Sequence, residues 1–355
     1  MKNKYILALF LAFSFVVLSE ESNAQSGKTI WSLSYFGDSD FFYRPSDIEV
    51  DKSRSLIYIA DCGNNRIVVF DFLGKFKKTF GSRGQGPGEF NRPTGLSILE
   101  DSRIAVADYE NLRIQIFDQN GAFIEMINTQ NTRAADLIFA NEKYYTVSSY
   151  GASGYRLIRT DEKFQPLVTI LDKEGIESGD ISVEDFPDTN PFIRAIKHRV
   201  CLTLSADKKL FLPYFAINLI QIFDLEGKKV GAFERPLPFK PILPKLLQQR
   251  TSEGVIQMQA TMDMISQDAD FGPDGYLFIL TYMESLHKLM EEVSSPENRP
   301  LHKMRIDIID PQEQKVIRSL DCDPNVRTFA CLEEKRLVYI YEDEAGELIL
   351  KCIEY

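Results

Sequence analysis

Ile59–Gly74 reads IADCGNNRIVVFDFLG, and Val106–Gly121 reads VADYENLRIQIFDQNG. Laid over each other with an offset of 47 residues, both follow Ala-Asp-x-x-Asn-x-Arg-Ile-x-x-Phe-Asp-x-x-Gly. Self-similarity at a period of 40–50 residues marks a propeller, a solenoid or an array of small units. The apolar residues inside each copy alternate with period two, and turn residues bound the runs, so the unit is built of short strands rather than helices. That favours a β-propeller.

Weaker copies extend the pattern. Tyr155–Asp161, Leu219–Gly227, Met304–Asp310 and Glu347–Ile353 each fit the Arg-Ile-x-x-Phe-Asp strand in reduced form, which gives six units. Each unit resolves into four strands; in the first they are Ser46–Val50, Leu56–Ala60, Arg66–Asp71 and Phe76–Phe80. The last unit has room for only three, near Arg327–Leu332, Arg336–Tyr341 and Glu347–Ile353. The missing strand is at the other end of the chain. Ile30–Gly37 ends in Phe-Gly as Lys78–Gly81 does, and then reaches Phe42-Tyr43-Arg44-Pro45 as the other reaches Phe90-Asn91-Arg92-Pro93. The N-terminal strand is therefore expected to complete the last blade, burying Ile30, Leu33 or their neighbours. Closing the ring removes exposed edges.

With the glycine-rich link Gly81–Leu96 added to these motifs, the sequence resembles the NHL-repeat family of six-bladed β-propellers. The likeness is strongest in the first two blades, and its general pattern covers the chain after the leader. It implies an all-β six-bladed propeller with four antiparallel strands per blade. It says little about activity, because a fold hosts many functions.

Residues 1–24 stand apart. A basic start (Met1–Lys4), an apolar run of 14 (Tyr5–Leu18) and a small-residue exit (Ser22-Asn23-Ala24) read as a secretory signal. The run is short for a bilayer span and no second one follows, so an exported protein, periplasmic or extracellular and not membrane-spanning, is expected. Residues 25–355 then form a single propeller domain. The chain carries 41 Lys+Arg against 52 Asp+Glu, a net charge of −11, which argues against nucleic acid as a partner. It is rich in Phe (25) and Tyr (15), residues that favour strands and fill the spaces between them.

Strand direction alternates within a blade, so the loops fall into two sets. Loops joining strands one–two and three–four share a face and are short throughout. Loops two–three and the links between blades share the other face, and it receives every long insertion: Leu171–Pro191, Glu234–Met262 and Glu284–Leu301. Long loops in a compact domain commonly carry function. Met283, Leu286, Leu289, Met290 and Val293 recur at helical spacing, and Pro241–Leu247 begins a second candidate helix. Leu246, Leu247, Met258 and Met262 could cover the same rim.

Among the repeated residues, Asp61, Asn64 and Arg66, like Asp108, Asn111 and Arg113, are read as a structural bond around a tight turn, with the asparagines supplying unusual backbone angles. A second pattern leads into the innermost strands: Arg44, Arg92 and Arg133, joined by His198 and Arg199 in the fourth blade and Arg327 in the sixth. These six are the candidate ligand-binding residues. Cations around one channel mouth suit carboxylates or phosphates. Asp47, Asp136 and Asp268 could instead simply pair with them.

No Gly-x-Ser-x-Gly, His-Glu-x-x-His or Cys-x-x-Cys motif is present, and three histidines leave little for a multi-histidine metal site. No cofactor is expected; a calcium site of Asp, Glu and Asn has no local spacing and stays open. The five cysteines read as small buried side chains, with a disulfide from Cys322 to Cys331 or Cys352 as the other possibility. The functional expectation is a monomeric, non-enzymatic binding propeller that takes a protein, peptide or anionic carbohydrate on the insertion-bearing face. The alternative is a metal-dependent hydrolase or lyase with a divalent ion in the channel.

Overall fold

The structure, a computed structural model, describes residues 26–129, 132–149, 155–160, 166–171, 199–250, 256–285, 289 and 301–355. Residues 1–24, expected to be a leader, most of the insertion after Leu171 and most of the stripe from Leu286 to Val293 lie outside these residues.

Among the described residues, six four-stranded antiparallel sheets follow one another along the chain. Blade 1 comprises Asp47–Asp51, Leu56–Asp61, Arg66–Asp71 and Phe76–Phe80. The innermost strands of the next four blades are Pro93–Ile98, Ala134–Ala140, Thr203–Leu204 and Ser266–Phe271. Blade 6 orders Val326–Cys331, Arg336–Glu342 and Leu348–Glu354, and then takes Lys28–Leu33 as its outermost strand. That strand pairs antiparallel with Leu348–Glu354, from Lys28↔Glu354 to Leu33↔Leu350. Its anchor is the expected Leu33 with its neighbour Trp31, and Ile30 alone departs from the sequence expectation. Ile30 is 42% exposed, while Trp31 and Leu33 pack on the core beneath. Trp31 also donates its indole N–H to Phe72 O at 3.1 Å, tying blade 6 to blade 1.

The core is distributed rather than central. Six buried apolar clusters each draw on two neighbouring blades, so every blade interface has its own core. Phe70 sits between blades 6 and 1, with Phe36 and Phe76 both edge-on against it. Phe117 sits between blades 1 and 2 against Phe80, Phe90 and Phe123. Aromatic rings suit this place because a wedge between twisted sheets widens outward and needs volume. The glycine that closes the repeat motif has a steric reason: Gly74 and Gly121 take φ of +77° and +79°, and a Cβ at either would stand 2.7 Å from Trp31 or Phe80.

The link between blades 4 and 5 corrects an expectation. In place of a helix from Pro241, Lys245–Arg250 and Ile256–Thr261 form a two-stranded antiparallel hairpin. Pro244 biases its predecessor toward extended backbone, and Ile256-Gln257-Met258-Gln259 alternates apolar and polar with the strand period. Of the second stripe, Leu289 N donates to Ser285 O at 3.2 Å, a helix-type bond; its neighbours on either side lie outside the described residues. All five cysteines are free, so no disulfide forms; Cys331 and Cys352 pack as buried side chains at the two interfaces of blade 6.

Candidate functional site: the channel and its rim

The repeated acidic and basic residues bind blades 1 and 2 to the links that precede them. Asp61 is fully buried. It accepts from Tyr43 N at 2.7 Å, Asn64 Nδ2 at 2.9 Å and Arg66 Nε at 2.8 Å. Arg66 continues outward to the Asp40 carboxylate and to Phe41 O. Asp108 repeats the pattern with Asn91 N at 2.7 Å, Asn111 Nδ2 at 2.8 Å and Arg113 Nε at 2.7 Å. Arg113 then donates to the carbonyls of Gln85, Gly86 and Glu89, which shapes the glycine-rich link. The asparagines work through their side-chain amides. The left-handed residue of each turn is the following one, Asn65 (φ 56°) or Leu112 (φ 54°).

The innermost strands of all six blades line a channel of about 920 Å³. Each of these strands runs away from the link face, so its residue numbers increase along the channel. Arg199, Gln267 and Arg327 stand at the link-face end; Asp47, Asp136 and Asp268 come next; Glu49 and Asp270 lie one strand period deeper; Lys52 and Lys208 mark the far end. The first carboxylate tier occupies blades 1, 3 and 5 alone.

These carboxylates do not pair with the arginines; they reach to the next blade. Asp47 accepts from Leu96 N at 2.7 Å, Glu49 from Ile98 N at 3.2 Å and Asp136 from Leu202 N at 3.3 Å. Asp268 accepts from Phe329 N at 3.0 Å and Thr328 Oγ1 at 2.8 Å, and Asp270 from Cys331 N at 2.7 Å. The physical cause is that an innermost strand has one side without a neighbouring strand, and its amides need acceptors. Odd blades thus lace the inner strands of even blades. Ser97 does the same for Phe139 N at 3.0 Å, between blades 2 and 3.

Crowding these acids in a narrow channel raises their proton affinity. Burial, then the neighbouring Asp136, Glu49 and Asp268, holds Asp47 well above the carboxylate range. Burial, then Asp270, pushes Glu49 up to about 8. Asp268 rises to about 7 and Asp136 to about 6, in both cases chiefly through burial. All five remain only partly buried, open to the channel. No ligand set converges for an axial divalent ion: among the described residues no three His, Cys, Asp or Glu stand together closely enough to hold one.

The six sequence-predicted rim residues separate into different environments. Arg199 and Arg327 line the channel. Arg92 and Arg133 lie outside the lining, share the Glu110 carboxylate at 3.0 and 3.2 Å, and both stand over the Tyr109 ring, at 5.3 and 5.8 Å from its centroid. Arg327 pairs with Glu342. Arg44 and Arg199 have no carboxylate partner among the described residues; each lies over an aromatic ring, Tyr43 at 5.3 Å and Phe215 at 4.0 Å. His198 falls outside the described residues. Arg44 and Arg92, each preceding a proline, are held at φ of 52° and 62°, a strained place for a side chain of that size. Phe41 and Tyr43 add exposed aromatic surface beside Arg44 (57% and 48%).

Sequence reasoning missed two networks. The carboxylate lacing had a signal in the i, i+2 spacing of Asp47/Glu49 and Asp268/Asp270, which places both acids of a pair on the channel side of one strand. The second is a fully buried ion pair: Arg235 donates to Asp307 at 2.6 Å and to Ser266 Oγ at 2.9 Å, while Asp307 also accepts from Thr281 and Ser319. Arg235 lies in an insertion and Asp307 in a strand 72 residues away, so no local spacing announces it.

Against known proteins, residues 38–231 match the model of a family described as 6-bladed beta-propeller, DUF5128. The chain belongs to this propeller family. Curated relatives match over shorter stretches. A peptidylglycine alpha-amidating monooxygenase of Rattus norvegicus is 37% identical over 87 residues, 22% of this chain and 9% of that one. NHL repeat-containing protein 2 of Gallus gallus is 31% identical over 122 residues, 30% of this chain and 17% of that one. The matched stretches are thus a small part of those relatives' length. A solved structure of a duf4221 family member from Bacteroides vulgatus superposes with a TM-score of 0.61 at 10% identity, covering 94% of this chain and 99% of that one, a likeness of fold.

Proposed function

We propose that this propeller is an exported, non-enzymatic binding protein whose ligand, a protein, a peptide or an anionic glycan, sits on the insertion-bearing face at the channel mouth. The observation that carries the reading is the pair of guanidinium groups, Arg44 and Arg199, that rest on aromatic rings without a carboxylate partner among the described residues. A cation already stacked on a ring keeps its in-plane N–H donors free for an anion. The Arg92–Tyr109–Arg133 stack offers two further guanidinium groups for one Glu110. Export rests on the leader at residues 1–24.

The chain's likeness to an amidating monooxygenase keeps one second reading, a metal-dependent hydrolase or lyase working in the channel. One experiment separates the two. The immobilised protein is exposed to an array of acidic oligosaccharides and peptides, with and without added calcium or zinc. Salt-sensitive capture that is lost in an Arg44→Ala/Arg199→Ala variant of unchanged melting temperature is the expected result. Capture indifferent to that double change defeats the rim reading, and conversion of a captured compound that requires the metal establishes the enzyme.

A further inference from the structure

Charge changes sign along the channel. At the link-face mouth, Arg199 and Arg327 flank blade 5, where the Tyr282 hydroxyl donates to Gln267 Oε1 at 2.9 Å within the field of both guanidinium groups. Arg327 pairs with Glu342, while Arg199 lies over Phe215 and has no carboxylate partner among the described residues. Next comes the tier of Asp47, Asp136 and Asp268 on alternate blades. These three face one another: the charges of Asp136 and Asp268 both act on Asp47, and that of Asp136 acts on Asp268. The cations of the lining stand at its two ends, and among the described residues none pairs with this tier.

The tier has bonding capacity to spare. A carboxylate offers about four lone-pair sites, and the amides of the next blade use few of them. Asp47 accepts through Oδ2 alone, and its Oδ1 has no partner among the described residues. A separate group leads to the same conclusion. Thr203, only 5% exposed, lines the channel in blade 4, between the blades of Asp136 and Asp268, and its hydroxyl has no partner among the described residues. Buried polar groups are nearly always satisfied, so an open acid tier and an idle hydroxyl in one channel call for an occupant rich in donors.

The arrangement selects the donor. A divalent ion needs oxygens converging on a point, and among the described residues no such set exists. A primary alkylammonium brings three N–H donors spread about its C–N bond, the symmetry of carboxylates set on alternate blades. With that bond along the axis, its stem leads back to the mouth and Arg199. Leu202, whose amide marks the level of Asp136, is three residues beyond Arg199, roughly 10 Å of strand. A stem of several methylenes spans this once the side chains reach inward, and a carboxylate at its end meets the guanidinium in the geometry that arginine favours. We infer that the channel binds an ω-amino carboxylate, the lysine type of ligand, with its ammonium among Asp47, Asp136 and Asp268 and its carboxylate on Arg199. The inference rests on the rim reading for Arg199 and narrows its anion to this class. A free amino acid and a peptide ending in lysine present the same chemistry.

Calorimetric titration of the full chain with 6-aminohexanoate, hexanoate and hexylamine tests it. The first is expected to bind, with an affinity roughly tenfold or more above that of either single-ended analogue. Asp47→Asn, which keeps an acceptor for Leu96 N, and Arg199→Ala are each expected to lower that affinity by a similar factor without unfolding the protein. Acetyl-Gly-Gly-Lys carries the same pair of groups at a peptide end; tighter binding of this peptide or of 6-aminohexanoate supports the inference and names the source. A folded protein that binds neither overturns it. So does 6-aminohexanoate held no better than hexanoate while acidic compounds are still captured through Arg199, a result that leaves the rim reading standing. Hexylamine held as tightly as 6-aminohexanoate, through Asp47 and not through Arg199, overturns this inference and the rim reading together.

Discussion

Glu49 provides the sharpest test of the channel's electrostatics. It accepts a hydrogen bond from Ile98 N at 3.2 Å, and burial with Asp270 nearby raises its pKa from 4.5 to about 8. In the unfolded chain the same carboxyl titrates at an ordinary value near 4.3. Between those two values the native state holds a proton that the unfolded state has lost. Stability linked to this group is thus complete below about pH 4 and falls as pH rises through about 8. At about 1.4 kcal/mol per pH unit the full rise would cost near 5 kcal/mol. Glu49 keeps partial access to the channel, and solvent screening there reduces the cost to about 2 kcal/mol. Glu49→Gln keeps an acceptor for Ile98 N and cannot ionise. Removing the charge also relieves Asp47, whose own rise includes a contribution from Glu49. Thermal melts of both proteins from about pH 5 to pH 9 measure the difference. The two curves are expected to lie closest at the acid end, to diverge steadily up to about pH 8 and to run parallel above it, with the variant melting about 4 °C or more higher at the alkaline end. Parallel curves across the range, or a wild-type protein that gains stability relative to the variant as pH rises, would refute the reasoning.

Removing residues 28–33 takes the ladder partner of Leu348–Glu354 and the packing of Trp31 and Leu33. A loss of ~3–6 kcal/mol in denaturant unfolding is expected, and an unchanged midpoint would contradict ring closure by this strand. Asp108→Ala leaves Arg113, 9% exposed, without its carboxylate, so a loss of about 3–5 kcal/mol is expected, whereas Asp118→Ala at an exposed turn should lower the melting temperature far less. Arg92→Ala/Arg133→Ala removes two half-exposed cations and should reduce capture of an acidic probe with little change in melting. Glu110→Gln releases the same two arginines and should strengthen capture, so a change in the same direction for both variants would show that Glu110 itself touches the ligand.

Much of the fold is legible in the chain because a propeller repeats its own instructions. The Asp-x-x-Asn-x-Arg motif marks each tight turn through bonds within a few residues, as in Asp61–Asn64–Arg66. The closing strand is legible because the Phe-Gly ending and the Arg-Pro lead-in recur at the right distance from the chain start. The hairpin is not legible in the same way, because a short apolar pair after proline carries no decisive period, and pairing between Lys245 and Thr261 is fixed by the partner strand.

The site divides along the same line. Sequence by itself determined that arginines precede the innermost strands and that carboxylates alternate along them, since both follow from local pattern and strand periodicity. Only the tertiary structure decided what each group faces. It set Arg92 and Arg133 on one tyrosine ring and one glutamate, left Arg44 and Arg199 without an acid among the described residues, and turned the acids from the arginines to the amides of the next blade. The reason is geometric. A hydrogen bond or a pKa depends on distances between blades some 50 to 70 residues apart, and those distances exist only once the ring has closed.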